Sequence, residues 1–364
     1  MKVIAYYISD YGYGHASRSI AIIRELLLRD SNIRVIVCHS FAVSFMKASI
    51  LSRRVSFREL NTDIGYFLKK GSIYPDKRLL FEEYLKFIND WDSRLLEEEK
   101  FLKINHVDLV ISDISPLPFE PARNLGIPSI GLSNFTWFTA YQGLIEEAIL
   151  TPLKEVYSKI TYFFSLAGSN ETWGSDSKEY GFFSRKVDLS EINSIRNQVD
   201  KSHEKKIVFL GLGMKIDQAT FDLLPIWDSP DIEFVISSNV PVKRENVQQI
   251  PLDYVETQNY IASSDLVITK AGWGMVGEAL NNNVPLLILE RRSMTEDQST
   301  INYLKKYSAC EVIDWNEFKN LQVNYSFIDR LNKNLFRDKH TSNNSVNEIA
   351  EDILKILYKQ EQFL

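Results

Sequence analysis

The sequence predicts an α/β protein built from two doubly wound halves, and three observations predict it. Short Val/Ile-rich runs bounded by turn residues recur along the chain. Between many of them lie segments of helical length whose apolar residues fall at three-and-four spacing. Apolar strands alternating with helices belong to parallel sheets covered on both faces. The alternation also starts afresh: after the polar stretch "DLSEINSIRNQVDKSHEKK", residues 188 to 206, the run "IVFLGLGMKID" repeats the strand-then-glycine opening of the chain.

Taken in order, "KVIAYYI" reads as a strand and "ASRSIAIIRELLL" as the helix after it. Further strands are expected at "IRVIVC", "VDLVIS", "IPSIGL" and "ITYFFS", with "LLFEEYLKFINDWDSRLLEEEKFL" as a long amphipathic helix among them. In the second half strands are expected at "KKIVFLGLG", "IEFVIS", "DLVIT", "VPLLIL" and "ACEVI". The final segment, "SVNEIAEDILKILYKQ", puts Ile349, Ile353, Ile356 and Leu357 on one face, with Ser345 as an N-cap, so it has to pack on something. These readings give a first domain over residues 1–190, a second over 204–344 and a closing helix over 345–364, with the boundary near 188 to 204.

The totals fit this division. A chain of 364 residues is long for one hydrophobic core. With 45% hydrophobic and 25% charged residues and a mean hydropathy of -0.18, it falls in the globular class. A formal charge of -6 disfavours a broad polyanion-binding surface, so nucleic acid is not an expected partner. Cys38 and Cys310 form no local thiol motif and sit in apolar runs, which suits a reducing compartment. No signal peptide is read at the start, and no apolar run reaches the roughly 18 to 20 residues that span a bilayer. The expected location is cytoplasmic.

In an open α/β sheet, ligands bind beyond the carboxyl ends of strands, where glycines allow close approach and helix N-termini offer N–H groups to anions. Four segments have that placement: Gly12 to His15, Ile111 to Asp113, Gly211 to Gly213, and Lys270 to Gly274. At the last, strand "DLVIT" ends, "KAGWG" turns and a helix begins near Trp273, so free N–H groups and the Lys270 ammonium converge where a diphosphate would lie. Glu278 falls within the second turn, its carboxylate suited to two neighbouring ribose hydroxyls. Strand "VPLLIL" then ends before a polar loop with Asp297 and Gln298, suited to sugar hydroxyls.

This segment resembles the donor-nucleotide signature of GT-B glycosyltransferases, the class that includes plant UDP-glycosyltransferases and the bacterial transferase adding N-acetylglucosamine to lipid I. The plant signature runs HCGWNSxxE, then GVP, then a D/E-Q pair. Lys270-Ala271-Gly272-Trp273 occupies the HCGW positions, Glu278 the E, Val284-Pro285 the VP, and Asp297-Gln298 the final pair after a few extra loop residues. Lys270 replaces the plant histidine and keeps a phosphate-directed cation. Gly274 and Met275 replace Asn and Ser, leaving backbone donors there.

The resemblance implies two Rossmann-like domains facing a cleft, with an acceptor on the N-terminal half and a nucleoside-diphosphate sugar, UDP-linked, on the C-terminal half. It implies that Gly14-His15 delivers a general base, that Asp113 orients and charges it, and that Gly12 and Gly14 face the acceptor. It further implies that backbone groups near Tyr254-Val255 hold the base, that Gly211 and Gly213 approach the phosphates, and that the closing helix crosses back to the first domain. An alcohol is too weakly acidic to attack an anomeric carbon without losing its proton, and a histidine near pKa 7 typically contributes roughly 10² to 10⁴ in rate. The implied reaction is direct displacement with inversion. It demands no metal or other cofactor, because Lys270 and the helix N-terminus can stabilise the departing diphosphate.

Plainer readings stand beside these. Asp113 is also placed to cap a helix beginning near Pro116, Glu278 to be a solvated helix residue, and Lys270 to face water. The cluster "SNFTWFTAYQGL" either lines the acceptor site through Phe135, Trp137 and Tyr141 or packs a core. Asp90-Trp91-Asp92 has the spacing of a metal-binding DxD but lies inside a helical pattern and reads as surface charge. The segment "IGYFLKKGSIY", 64 to 74, reads as an acceptor loop, or as a peripheral membrane contact if the acceptor is a lipid carrier. Two rival functions share the fold. A UDP-N-acetylglucosamine epimerase would carry an N-terminal Gly-Thr-Arg-Pro-Glu stretch, which has no counterpart here. A non-catalytic sugar-nucleotide module, or a domain partner of a sugar kinase, would bind nucleotide without transferring anything.

Overall fold

The computed structural model describes residues 1–69, 74–212, 221–238, 240, 242–334 and 344–359. The chain divides into two units: Met1–Phe67, Pro75–Gly181 and Asn343–Leu364 form the first, Leu68–Tyr74 and Phe182–Ser342 the second. The division thus falls at Gly181, ahead of the stretch 188 to 204 where the sequence put the boundary. That stretch begins as the helix Leu189–Val199, capped by the Asp188 carboxylate. Its polar residues anchor it in the second unit. Arg196 donates to the Ser263 carbonyl at 2.6 Å and to Asp265 at 3.3 Å, and the Asp188 N–H donates to Asn259 at 3.0 Å.

The first unit holds a seven-stranded parallel sheet in the order β3-β2-β1-β4-β5-β6-β7. Its strands are β1 (Lys2–Ile8), β2 (Ile33–His39), β3 (Val55–Glu59), β4 (Leu109–Asp113), β5 (Ser129–Ser133), β6 (Tyr162–Leu166) and β7 (Asp176–Tyr180). The central strands are buried on both faces, which is why their sequences are apolar throughout. The helix Tyr13–Arg29 follows β1 and buries Ala16, Ile20, Ile23 and Leu26. It packs against the helix Asn344–Lys359, whose apolar face is Ile349, Ile353 and Leu357. Tyr358 Oη donates to Asp30 at 2.6 Å, and Asp352 takes bonds from Lys178 and from Tyr180. The long helix expected from residue 79 onward is two, Lys77–Asn89 and Trp91–Ile104, broken at Asp90. There Trp91 turns inward against Phe87, ring centroids 5.2 Å apart, so Asp90-Trp91-Asp92 is a helix junction.

The second unit holds a six-stranded parallel sheet in the order β10-β9-β8-β11-β12-β13. Its strands are β8 (Lys206–Gly211), β9 (Ile232–Ile236), β10 (Val247–Gln249), β11 (Leu266–Lys270), β12 (Leu286–Leu289) and β13 (Glu311–Ile313). Val208, Leu210, Phe234, Ile268 and Leu287 lie in its core with Trp227, Phe318 and Leu331 from the covering segments. In each sheet the order reverses between two neighbouring strands, β1 and β4 in the first, β8 and β11 in the second. A crevice opens at the carboxyl ends of such strands. No helix among the described residues is long and apolar enough to cross a membrane.

Candidate active site

In the first unit both residues singled out for chemistry stand at the reversal point. β1 ends at Ile8, and Gly12 turns the chain with φ 85° and ψ 167°, a conformation that excludes a side chain. The helix then starts at Tyr13, bringing His15 inward, while Asp113 closes β4, whose register pairs Ile8 with Asp113. His15 Nδ1 lies 3.1 Å from Asp113 Oδ1. A carboxylate there favours the tautomer with hydrogen on Nδ1, leaving Nε2 as the basic nitrogen.

Sequence reasoning missed the third member. Arg18 donates through Nε to Asp113 Oδ2 at 2.6 Å and through a terminal nitrogen to Oδ1, and its other terminal nitrogen reaches Asn134 Oδ1 at 2.8 Å. Ser19 adds a bond to Oδ2 at 3.2 Å. Burial works against ionisation of Asp113, yet the Arg18 charge and hydrogen bonds, followed by His15, hold its carboxyl at about 2. His15 moves downward from the ordinary histidine value, through burial first and the Arg18 charge second, with Asp113 opposing both. The available signal was spacing: Arg18 is three residues after His15, on the same helix face.

Asp113 caps no helix, since the next one runs from Phe119 to Asn124. Of the acceptor candidates, Phe135 approaches the His15 ring at 6.1 Å between centroids, while Trp137 is only 1% exposed. Trp137 is enclosed by Tyr11, Tyr66, Phe135 and a stacked Tyr141, so it is core packing beneath Phe135 rather than a surface for an acceptor. Nothing comes within 4 Å of a Cβ placed at Gly14. Below the turn lies a second acidic group the sequence did not flag. Asp10 pairs with His39 Nδ1 at 2.7 Å and accepts the Ser40 and Thr62 N–H groups, and Asp63 is buried beside it. Burial, then the Asp10 charge, push the Asp63 carboxyl up to about 7.

In the second unit, Lys270 ends β11 and Gly211 ends β8, with Thr269 in register with Gly211 and donating to its carbonyl at 2.9 Å. The helix Trp273–Asn281 starts three residues after Lys270, with Gly272 as N-cap and no side-chain cap hydrogen bond, so the positive end of its dipole lies at the carboxyl end of β11. Gly274 lies within that first turn. Gly213 falls outside the described residues, as do residues 70–73 of the segment 64 to 74.

Glu278 and Asp297 are not free carboxylates. Arg185 donates to Glu278 Oε1 through Nε at 3.2 Å and through a terminal nitrogen at 3.0 Å. Burial raises the Glu278 carboxyl and Arg185 opposes it. The same guanidinium donates to the Val255 carbonyl at 2.7 Å, and the Tyr254 hydroxyl accepts from Asn259 at 3.1 Å. Asp297 and Gln298 lie in the first turn of the helix Thr295–Lys306, not in a loop. Both Asp297 oxygens are taken by Arg291 at 2.6 Å, and its residue is 1% exposed, so the carboxylate braces the turn after β12 instead of meeting a sugar. Gln298 is half-buried, its amide directed at the Arg291 carbonyl at 3.4 Å. Among the described residues no group of three His, Cys, Asp or Glu is gathered as for a metal ion.

Comparison with known proteins agrees with this architecture. Residues 232–355 match the glycosyltransferase family 28 C-terminal domain. The L-arabinokinase of Arabidopsis thaliana is 24% identical over 328 residues, which is 84% of this chain and 30% of the kinase. The chain thus spans under a third of the length of that curated relative. Among solved structures, the glycotransferase of kitacinnamycin superposes with a TM-score of 0.64 at 14% identity, covering 97% of this chain and 98% of that one. The spinosyn forosaminyltransferase SpnP gives 0.62 at 16%, covering 98% and 99%. The Medicago truncatula UGT71G1, solved with UDP-glucose, gives 0.59 at 12%, covering 97% and 98%. With two parallel sheets that each reverse at a central pair of strands, and a match to the glycosyltransferase family 28 C-terminal domain over residues 232–355, the chain has the GT-B fold of two Rossmann-like domains.

Proposed function

We propose that the chain is an inverting glycosyltransferase that moves a sugar from a UDP-linked donor to a hydroxyl acceptor without a metal cofactor. The observation that carries the reading is the His15–Asp113 contact at 3.1 Å on the two strands where the first sheet reverses. In this reading the acceptor hydroxyl gives its proton to His15 Nε2 while its oxygen forms the new bond to the anomeric carbon. The bond from that carbon to the diphosphate breaks in the same step, and the diphosphate leaves with the electron pair. Lys270 and the N-terminal N–H groups of the helix Trp273–Asn281 balance the charge that develops there. Glu278, Gly211, Gly213, Lys270 and the Tyr254-Val255 loop hold the donor, and Gly12, Gly14 and Phe135 border the acceptor. The reading places the enzyme in the cytoplasm.

The test is a thermal-shift panel of nucleoside diphosphates and their sugars, followed by transfer assays with hydroxyl acceptors. A bound nucleotide raises the melting temperature by mass action. UDP or a UDP-sugar is expected to do so, and a panel without any shift contradicts the donor assignment. A second reading, a sugar-nucleotide-binding domain that serves a sugar kinase, is favoured by the arabinokinase similarity. Nucleotide binding with no transfer to any acceptor supports that reading over the first.

A further inference from the structure

Arg185 is the largest charged side chain in the second unit to be fully buried, with no side-chain exposure. A buried guanidinium has to be paired and hydrogen-bonded, and what it bonds to tells what it organises. Its partners include Glu278 Oε1, the Val255 carbonyl and, at 3.0 Å, the Thr257 hydroxyl. Glu278 lies on the helix Trp273–Asn281, while Val255 and Thr257 lie in the loop before the helix Gln258–Ala262. These are the two elements that the reading above gives to the ribose and to the base.

Arg185 is not a side chain poised to swing out. A Cβ on Gly277 would stand 2.6 Å from the Phe183 carbonyl oxygen, so the backbone two residues before Arg185 lies directly on that helix. Phe182 and Phe183 both pack on Trp273, ring centroids 4.9 Å away in each case. On the other side, Gln258 donates to the Lys186 carbonyl at 3.0 Å. The guanidinium is therefore a fixed strut between helix and loop. Both of its bonds to Glu278 end on Oε1, which turns the other carboxylate oxygen away from it.

We infer that Arg185 is a positioning residue for donor recognition, fixing Glu278 as an acceptor that meets the ribose through Oε2 alone while holding the base loop at a set distance. This rests on the UDP-donor reading. Arg185 touches no ligand; its effect runs through Glu278, so it should appear in how strongly binding depends on the ribose hydroxyls. A neutral or misaligned Glu278 would lose that dependence even where the diphosphate still binds.

The experiment is calorimetry of the full chain with UDP and with 2′,3′-dideoxy-UDP, for the natural sequence, Arg185→Lys, Arg185→Gln and Thr257→Val. The natural protein should prefer UDP by roughly tenfold or more, as expected for a hydrogen bond to a charged group. Arg185→Gln should bring the ratio near one while the dideoxy affinity changes little, with Arg185→Lys between the two. Equal weakening of both nucleotides in Arg185→Gln would make the residue a mere fold support and overturn the inference. If the Arg185 variants do not fold, Thr257→Val, which removes one bond of the strut, should still lower the ratio, and an unchanged ratio there counts against it. A natural protein that binds UDP without preferring it overturns the inference and leaves the donor reading standing, whereas one that binds neither nucleotide overturns both.

Discussion

Arg18 grips Asp113 with two nitrogens, one on each carboxylate oxygen, and both side chains are essentially sealed from solvent. His15 shares Oδ1 with that permanent cation. An unshared carboxylate would draw a proton onto the imidazole. Here burial first and the guanidinium second outweigh that pull, so the imidazole pKa moves below its ordinary value.

The pH dependence follows from that direction. The acidic limb of kcat/KM should lie below about 6.5, the ordinary histidine value, because the neutral ring persists to lower pH. Arg18→Met removes a lowering influence on His15, so the limb should move upward. Stability follows the same sign: with the folded pKa below the unfolded one, the unfolded chain binds more protons in the window up to about 6.5, and stability falls as pH drops through it. Titration of the His15 ring by NMR checks this without an activity assay. A midpoint at or above the ordinary value contradicts it.

Removing the two partners should have opposite consequences. Asp113→Asn leaves the Arg18 charge buried and unbalanced, a loss on the order of 3–5 kcal/mol in denaturant unfolding. His15→Ala leaves the Arg18–Asp113 pair intact and should cost far less stability. Its turnover should fall by roughly 10² to 10⁴ while nucleotide affinity survives. Unchanged turnover removes the base assignment.

Asp63 gives a stability change of the other sign. Its folded pKa, near 7, lies above the ordinary carboxyl value, so the folded state holds a proton that the unfolded state has released. That contribution is complete below the unfolded pKa and is lost as pH rises through about 7. Asp63→Asn should therefore raise the melting temperature at about pH 8 and change it little near pH 4. An equal effect at both would place the cause in packing rather than charge.

Gly277 should resist substitution. Alanine there would press a methyl group into the Phe183 carbonyl, which is backbone and cannot rotate aside. Overpacking of this kind costs roughly 1–3 kcal/mol. Chemical denaturation of Gly277→Ala reads it directly, and a neutral result would mean that the segment around Phe183 can shift.

The central strands were legible because burial on both faces demands apolar residues at every position. β3, β7 and β10 were not, and all three lie at sheet edges, where one flank faces water. "VSFRE", "DSKEY" and "VQQ" carry no continuous apolar run. The site shows the same limit. Asp113, Glu278 and Asp297 were each visible as acids in a telling position, yet each is held by a buried arginine that was not. Arginine is normally a surface residue, and two of these pairs join residues 95 and 93 positions apart. Spacing reveals which acid stands at a strand end. It does not reveal the distant cation that fixes the acid's charge and direction.

The helix Asn344–Lys359 docks on the helix Tyr13–Arg29, although the whole of the second sheet intervenes in sequence. During synthesis the whole second sheet must therefore emerge before the first unit can cover the face of the helix Tyr13–Arg29 on which Asn344–Lys359 docks. Until then that face is exposed apolar surface of the kind that makes folding intermediates aggregation-prone, so removing the helix Asn344–Lys359 should damage the first unit rather than the second, which adjoins it in sequence.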